Sequence, residues 1–377
     1  IKSVNAISHY TDWTIGHAHI GALGWNGLLT FAILYWLIPR IFNTKLHSVK
    51  LANTHFWAST LGIVFYAIPL YWAGITQSLM WKQFTADGFL LYPNFLETVV
   101  QIVPLYGIRA IGGLLYFAGI LIMLYNLVKT IKSGDLVREE EDQASPITSA
   151  YQAHAGESKH RWIERRPVQF FIYVVIAVLI GGVFEIIPMQ AVKSNVPTIS
   201  SVKPYTPLEL EGRDVYVAEG CYTCHSQMIR PFRSETARYG EYSKSGEFVY
   251  DHPFQWGSKR TGPDLHRIGS KYPDAWHYTH MIEPASLSPG TIMPPYPWLA
   301  EKKYDVNGIG AKILAMMTLG VPYQDGFDIE AAQVMREQAE DLAAGLRAQG
   351  IPDAQWDTQM IALIAYLQRL GTDIKAQ

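Results

Sequence analysis

Cysteine and histidine side chains occur together in one short motif of this 377-residue chain. The motif is "CYTCH", which runs from Cys221 to His225 and has the form C-x-x-C-H. Two thiols one helical turn apart can add across the vinyl groups of a porphyrin, and the adjacent imidazole then reaches the iron. A redox dithiol or half of a zinc site is the alternative, but Cys221 and Cys224 are the chain's only cysteines and a helical pattern precedes them. The motif therefore predicts covalently bound haem c.

The sixth ligand of that iron is predicted to be a methionine, because a thioether favours a high reduction potential and electron transfer. Met228 lies too close to the motif to cross the ring, whereas Met335 and Met360 fall in predicted helices, where methionine usually fills a core. The other candidates are Met281, Met316 and Met317. Met293 stands in "GTIMPPYPW", where prolines stiffen the loop, and is the predicted ligand; the alternative is that it only packs in a turn.

A second pair of candidate ligands lies in "WTIGHAHIGALG", which begins at Trp13. On a helix, residues two positions apart point about 200° away from each other, so His17 and His19 cannot share one metal ion. A lone histidine in an apolar span is ordinarily a hydrogen-bonded core residue. Two of them in a chain with a predicted haem site favour two cofactors, one on each side of the helix. Small residues such as Gly16 and Gly21 would let flat rings approach the backbone.

The composition indicates a membrane protein with no nucleic-acid partner. The residues are 49% hydrophobic and 17% charged, with a net charge of −2, whereas soluble proteins have about 25% charged residues. Four apolar segments are long enough to cross a bilayer, and tryptophan and tyrosine at their ends argue against buried helices of a soluble protein. These segments are residues 13–38, 55–76, 95–128 and 168–189.

The predicted fold class is mostly α, with a bundle of membrane helices followed by a cytochrome domain. The predicted divisions are three membrane helices (1–130), a cytoplasmic linker (131–167), an anchor helix (168–189), an extended linker (190–206) and a periplasmic haem domain (207–377). Basic residues in the loop 39–54 place that loop inside and the haem domain outside. Helices are predicted from Pro207, over 328–349 and over 355–370. A start at Ile1 without an initiator methionine suggests a processed or partial chain.

Longer stretches resemble known families. The order "CYTCH", "TGPDLHRIG", methionine loop and final "YLQRLGT" resembles a class I cytochrome c. More narrowly, "FEIIPM", "CHSQMIRPF" and "MPPYPWL" resemble the membrane-anchored monohaem subunit of cbb3-type cytochrome c oxidases, from Val168 to the end. "TDWTIGHAHIGALGWNG" resembles the tenth helix of the catalytic subunit of that family, and "IRAIGGLLYFAGILIMLYNL" its last helix. The chain thus looks like the end of a catalytic subunit fused to the haem c subunit.

The resemblance implies roles for individual residues. His17 would be the proximal ligand of the high-spin haem b, where oxygen binds, and His19 one axial ligand of the low-spin haem b. Asn5 and His9 would lie near the haem propionates. The family's copper ligands and cross-linked tyrosine lie upstream of this helix, so copper is expected in the complex but is not bound by this chain.

The implied function is that of a terminal oxidase in the bacterial inner membrane. Electrons would come from a soluble cytochrome c or a multihaem cytochrome c subunit, pass through haem c and the low-spin haem b, and reduce O₂ to water with proton translocation. The remaining helices of the catalytic subunit would be partners. One alternative is a nitric oxide reductase, which shares the H-x-H helix; another is a simple electron-transfer cytochrome with an inert membrane part.

Three charged residues lie in or near the predicted spans. Arg109 lies mid-span, where a charge is costly unless paired, and either a proton-path role or a structural pair is consistent with the sequence. Glu97 is expected to be solvated near a helix end. Glu185 belongs to the family-like "FEIIPM" without an assigned role.

Overall fold

The computed structural model describes residues 1–137, 158–192 and 197–376, and the regular elements in these ranges are helices. Parts of both predicted linkers lie outside the described residues. Four described helices are long and apolar enough to cross a membrane, namely Asp12–Ile41, Val49–Lys82, Phe95–Lys132 and Pro167–Met189. The predicted mostly α architecture with four spans is therefore confirmed. The chain divides into two units, Ile1–Asp135 with Ile199–Gln377, and Leu136–Thr198.

The N-terminal part of the first unit contains three spans. Its elements are α1 (Lys2–Ser8), α2 (Asp12–His19), a π-helix (Ile20–Gly27), α3 (Leu28–Ile41), α4 (Val49–Lys82) and α5 (Phe95–Lys132). The first span is continuous, because α2, the π-helix and α3 follow one another without a break. Side-chain caps fix the helix starts: the Thr11 hydroxyl accepts from Trp13 N, and Asn94 and Glu97 form a capping box at α5.

Helices α4 and α5 pack along their lengths and form the inside of this part. Their ends are tied at Ser48, whose main-chain nitrogen donates to Asn126 Oδ1 over 3.0 Å while its carbonyl accepts from Asn126 Nδ2 over 2.8 Å. Apolar side chains such as Leu114 and Phe117 on the outer face of α5 are exposed. Such a face suits lipid or further membrane helices.

The second unit contains α6 (Lys159–Glu164) and α7 (Pro167–Ala191). Helix α7 has a proline at its first turn, the position where a missing N–H costs nothing. Its large apolar side chains, Phe171 and Phe184 among them, are exposed, as suits a membrane anchor. Glu185 is exposed near the end of this helix.

The C-terminal part of the first unit is a second helical assembly. Its α-helices are α8 (Pro207–Ala218), α9 (Arg233–Tyr239), α10 (Asp274–Ile282), α11 (Pro284–Leu287), α12 (Ile309–Thr318), α13 (Phe327–Ala348) and α14 (Gln359–Arg369). Helix α8 starts at the predicted position, where Thr206 and Glu209 form a capping box. Helices α13 and α14 fall inside the predicted ranges to within a few residues.

Helix α13 has a packing role that its sequence pattern alone does not assign. Its buried residues recur about every four positions and face the shared core: Ala331, Met335, Ala339, Ala343 and Leu346. This spacing places them on one helix face. The same core fully buries Met360 of α14, so Met335 and Met360 are core-filling methionines, as expected.

Candidate functional site

The C-x-x-C-H motif forms a tight turn directly after α8. Gly220 has a φ of 72°, a left-handed conformation that glycine adopts without strain, and lets the chain leave the helix. Residues Cys221–Thr223 form a 3₁₀ turn, and His225 N donates to Cys221 O over 2.9 Å. Both cysteines are free thiols. The turn therefore presents the two thiols and the imidazole together.

The imidazole of His225 is held in one orientation. Its Nδ1 donates to the carbonyl of Pro263 over 2.8 Å, which leaves Nε2 without a proton and able to bind a metal. Burial lowers the pKa of this imidazole, which keeps it in the neutral form that a ligand requires. Gly262 lies against the ring so closely that a Cβ there would collide with the imidazole.

A buried polar network fixes the segment that contains Pro263. Asp264 accepts from Ser226 Oγ over 2.6 Å and from Met228 N over 2.8 Å, and Arg260 Nε donates to Ser226 Oγ over 2.7 Å. Asp264 and Arg260 are also an ion pair in which both side chains are buried. The network joins the residues after the motif to the loop that orients His225.

A cavity of about 400 Å³ opens beside the motif. Cys221, Cys224 and His225 line it, and so does Met293. Of the seven methionines after the motif, Met281 is the other one that lines the cavity, and it is a buried residue of α10. The volume is typical of a site for a small organic ligand. The structure thus brings the four predicted haem c residues to one cavity.

Several polar atoms on the cavity wall are buried without a hydrogen-bond partner in the described part of the chain. They are Tyr216 Oη, Arg238 Nη2, Thr261 Oγ1, His277 Nε2 and His280 Nδ1. Buried polar groups normally have a partner, so these atoms indicate a ligand with polar atoms of its own. Two thiols, a free imidazole nitrogen, a thioether and these donors fit a porphyrin with carboxylate groups.

His277 and His280 were not predicted as site residues. They lie three positions apart on α10 and share one helix face. Burial lowers the pKa of each to about 4, so both are neutral near pH 7. The sequence signal for them was the pair of histidines in "WHYTH". In the structure, the Trp276 and His280 rings stack with centroids 4.5 Å apart.

The two predicted membrane ligands lie on α2 and differ in exposure. Gly16 is buried against α4, whereas His17 on the adjacent face is exposed and stacks on Trp13 with ring centroids 5.2 Å apart. His19 is half-buried, and its Nδ1 donates to Ile15 O over 2.8 Å, which leaves Nε2 free. Both rings therefore remain available on different sides of the helix.

A hydrogen-bonded cluster fixes the start of α2. Asp12 N donates to Gln77 Oε1 over 2.7 Å, and the Asp12 carboxylate accepts from Gln77 Nε2 and Tyr106 Oη over 3.0 and 2.6 Å. The guanidinium of Arg109 lies 4.5 Å from the Tyr106 ring centroid, one turn further along α5. Arg109 therefore contacts the cluster through the Tyr106 ring. Glu97 is exposed, as expected.

The π-helix that follows His19 was not predicted. It covers Ile20–Gly27 and widens the helix immediately after the H-x-H pair. Such segments are rare and are frequent at functional sites. The segment contains three glycines at intervals of three, Gly21, Gly24 and Gly27, a spacing that does not distinguish a π-helix from an α-helix.

The residues before α2 meet the C-terminal helical part. Asn5 is exposed in α1, and His9 stacks on the buried Tyr10 with ring centroids 4.1 Å apart. Burial lowers the pKa of His9. Arg260 N donates to Tyr10 O over 2.9 Å, and the Arg260 guanidinium lies 4.2 Å from the Tyr10 ring centroid. The residues next to the H-x-H helix thus contact the network that orients His225.

The fold and the cavity together define a helical protein with four candidate membrane spans and a cavity lined by a C-x-x-C-H turn. Residues 160–374 match the family described as "Cytochrome C oxidase, mono-heme subunit/FixO", and the chain belongs to this family. Residues 1–115 match a second family, "Cytochrome C and Quinol oxidase polypeptide I".

Curated relatives resemble the N-terminal part. The chain is 51% identical over 146 residues to "Cytochrome c oxidase subunit 1 homolog" of Agrobacterium tumefaciens, which covers 38% of this chain and 26% of the relative. It is 47% identical over 134 residues to "Cbb3-type cytochrome c oxidase subunit CcoN1" of Stutzerimonas stutzeri, which covers 35% and 28%. The chain thus spans about a quarter of the length of these relatives. The predicted resemblance to cbb3-type oxidases is confirmed.

A relative of lower identity is a nitric oxide reductase polypeptide, the alternative that the sequence left open. The chain is 23% identical over 131 residues to a nitric oxide reductase polypeptide of Stutzerimonas stutzeri, which covers 33% of this chain and 27% of the relative.

Proposed function

We propose that this chain is part of a cbb3-type terminal oxidase that takes electrons from a cytochrome c donor and delivers them to oxygen. In this proposal the first electron acceptor is a haem c, followed by a low-spin haem b and then a high-spin haem b with copper. The observation that carries it is the combination of two sites in one chain. The cavity at Cys221 lies in the residues that match the monohaem subunit, and the H-x-H helix lies in those that match polypeptide I.

At the haem c site, the four predicted residues would have separate roles. The thiols of Cys221 and Cys224 would attach the porphyrin, while Nε2 of His225 and the thioether of Met293 would bind the iron. When bound, the haem supplies the one-electron iron chemistry. The Pro263 carbonyl fixes the imidazole, and burial keeps it neutral. A histidine and methionine pair favours a high potential, as an electron acceptor from cytochrome c requires.

In the membrane part of the chain, α2 would provide ligands to two haems b. His19 would bind the low-spin haem through Nε2, since its Nδ1 is committed to Ile15 O. His17 would bind the high-spin haem from the exposed face of the helix, where further helices of the catalytic subunit would complete the oxygen site. The copper is expected to be held by that part of the subunit and not by this chain. Asn5 and His9 would lie near the propionates.

The oxidase is favoured over the nitric oxide reductase by the degree of similarity. Identity to the oxidase relatives is 51% and 47%, against 23% for the reductase polypeptide over a similar length. The hydrogen bonds of Asp12 with Gln77 and Tyr106, which fix the start of the H-x-H helix, support a positioned ligand helix over an inert anchor.

The test uses the protein purified from its own membrane with the polypeptides that accompany it. Pyridine haemochrome spectra should show both haem b and haem c, together with oxygen uptake on addition of reduced cytochrome c. Haem c alone would contradict the oxidase proposal and support a simple electron carrier. Nitric oxide reduction without oxygen uptake would support the reductase.

The roles of the two histidines are separated by substitution. His17→Leu should abolish carbon monoxide binding while the low-spin haem b spectrum remains, because His17 is the proposed ligand of the haem at which oxygen would bind. His19→Leu is the matched variant and should remove the low-spin spectrum. Full carbon monoxide binding by the His17 variant would show that the assignment is wrong.

A further inference from the structure

Arg238 is one of two cations on the wall of the cavity, with Lys271 as the other, and its two terminal nitrogens have different surroundings. Nη1 donates to the carbonyl of Pro93, directly before α5, over 2.8 Å. Nη2 is buried and has no hydrogen-bond partner among the described residues. The side chain lines the same cavity as Cys221 and His225. One guanidinium thus reaches both the membrane part and the predicted haem c cavity.

Glu97 and Glu235 are the carboxylates that act on Arg238, and neither forms an ion pair with it among the described residues. Burial lowers the pKa of its guanidinium, and the buried Arg260 acts in the same direction. Tyr239, Glu97 and Glu235 oppose this shift. Glu235, however, is already paired with Arg230 and Arg260, at 2.5 and 3.0 Å. A desolvated cation of this kind is stabilised by a bidentate or charge-assisted bond to an anion.

The shape of the site restricts which anion this is. Phe95, Leu96 and Val99 of α5 line the cavity together with residues of the C-x-x-C-H turn. A porphyrin attached at Cys221 and Cys224 would fill this space and carries two carboxylates on flexible arms. A guanidinium group suits this arrangement, because its planar fork of N–H donors can bind two acceptors at once, here the Pro93 carbonyl and a carboxylate oxygen.

We propose that Arg238 holds a propionate carboxylate of haem c through Nη2 while Nη1 keeps the Pro93 carbonyl. Arg238 is then a positioning residue that fixes the haem edge against the start of α5. This inference rests on the proposed function, because it requires haem c in the cavity.

The same helix provides a matched control. Arg233 also lies on α9 and also donates to a main-chain carbonyl of the membrane part, from Nη2 to Gly88 O over 3.0 Å. Its guanidinium lies 4.5 Å from the Phe84 ring centroid, and it is not among the cavity-lining residues. Arg233→Gln therefore removes a comparable contact with the membrane part without touching the haem site.

The experiment compares Arg238→Gln, Arg238→Lys and Arg233→Gln in the purified complex. The midpoint potential of haem c is measured by redox titration of its absorbance, and the propionate bending band by resonance Raman spectroscopy. Arg238→Gln should lower the potential, because loss of a nearby cation favours the more positive oxidised iron, and should shift the propionate band. Arg238→Lys should restore part of the potential, since it keeps the charge but not the fork. Arg233→Gln should leave both readouts unchanged.

Two results would overturn the inference. One is an unchanged potential and propionate band in Arg238→Gln that still contains haem c. The other is an equal shift in Arg233→Gln, which would assign the effect to docking of the two parts. Should Arg238→Gln fail to retain haem, Arg238→Lys still decides by its propionate band. Absence of haem c from the unmodified protein would instead contradict the proposed function.

Discussion

His225 and His19 are oriented by the same kind of bond although they lie in different parts of the chain. In each ring Nδ1 donates to a main-chain carbonyl over 2.8 Å, Pro263 O for His225 and Ile15 O for His19. Such a bond fixes the tautomer and directs Nε2 to a metal. The His19 bond is local to one helical turn and follows from the helix itself. The His225 bond joins residues 38 positions apart and depends on the tertiary fold.

At the residue scale, the assignment of Met293 gives a direct prediction. Met293→Ala should abolish the weak near-infrared sulfur-to-iron band of oxidised haem c and lower its potential, because the thioether ligand is lost. Met281→Ala is the matched control, since Met281 lines the same cavity from α10 but is a buried core residue. Its band should persist, with a loss of stability of about 2–5 kcal/mol from the cavity left in the core. The opposite pattern would make Met281 the ligand.

The sequence could not place Arg238, His277 and His280 in the same cavity as the C-x-x-C-H turn, for a physical reason. Arg238, His277 and His280 have no motif spacing relative to Cys221, and they meet it only because α9 and α10 fold around the same space. The thiols and His225 were predictable because their chemistry requires adjacent positions. Met293 was predictable because prolines beside it restrict the loop.

At the scale of elements, whether a helix could be predicted from the sequence depends on what stabilises that helix. The four spans were predicted because the length of an apolar run is a property of composition, and helices α13 and α14 because their periodicity extends over three or more turns. The short helices α1, α6 and α9 to α12 were missed, since short helices are stabilised mainly by tertiary contacts. The π-helix at Ile20–Gly27 was missed because its i+5 hydrogen bonds have no distinct residue pattern.

The close contact between α2 and α4 leads to a prediction about the position of α2. A Cβ on Gly74 would lie 2.8 Å from Trp13 Cα and would also collide with the Trp13 main-chain nitrogen. Gly74→Ala should therefore push α2 away from α4, at a cost of about 1–3 kcal/mol, and disturb the His17 and His19 positions. Thermal unfolding and the haem b absorbance bands of the purified complex measure both effects.

Gly107 of α5 is the control for that substitution. A Cβ there would meet nothing within 4 Å. Because alanine is the better helix former, Gly107→Ala should be neutral or stabilising by up to about 1 kcal/mol. Equal destabilisation by both variants would contradict the close packing of Gly74 on Trp13.

At the scale of the whole molecule, main-chain carbonyls join the C-terminal helical part to the membrane part. Arg230, Arg233 and Arg238 donate to Ala6 O, Gly88 O and Pro93 O over 3.2, 3.0 and 2.8 Å. Main-chain acceptors have no side-chain signature, so this face could not be predicted from the sequence. The contacts require that the segment before the first span, the loop between the second and third spans and the C-terminal part lie on one side of the membrane.

The orientation predicted from basic residues, together with these contacts, can be tested by labelling the loops between the spans. The loop between α3 and α4 contains the exposed Lys45, and the loop between α4 and α5 contains the exposed Ala86. If the C-terminal part is periplasmic, Ala86→Cys should react with a membrane-impermeant thiol reagent in intact spheroplasts. Lys45→Cys should react only after the membrane is permeabilised, because positively charged loops remain in the cytoplasm. Both positions are exposed, so a difference in labelling reports the side of the membrane and not burial. Labelling of Lys45→Cys alone in intact cells would reverse the orientation and place the cytochrome donor site in the cytoplasm.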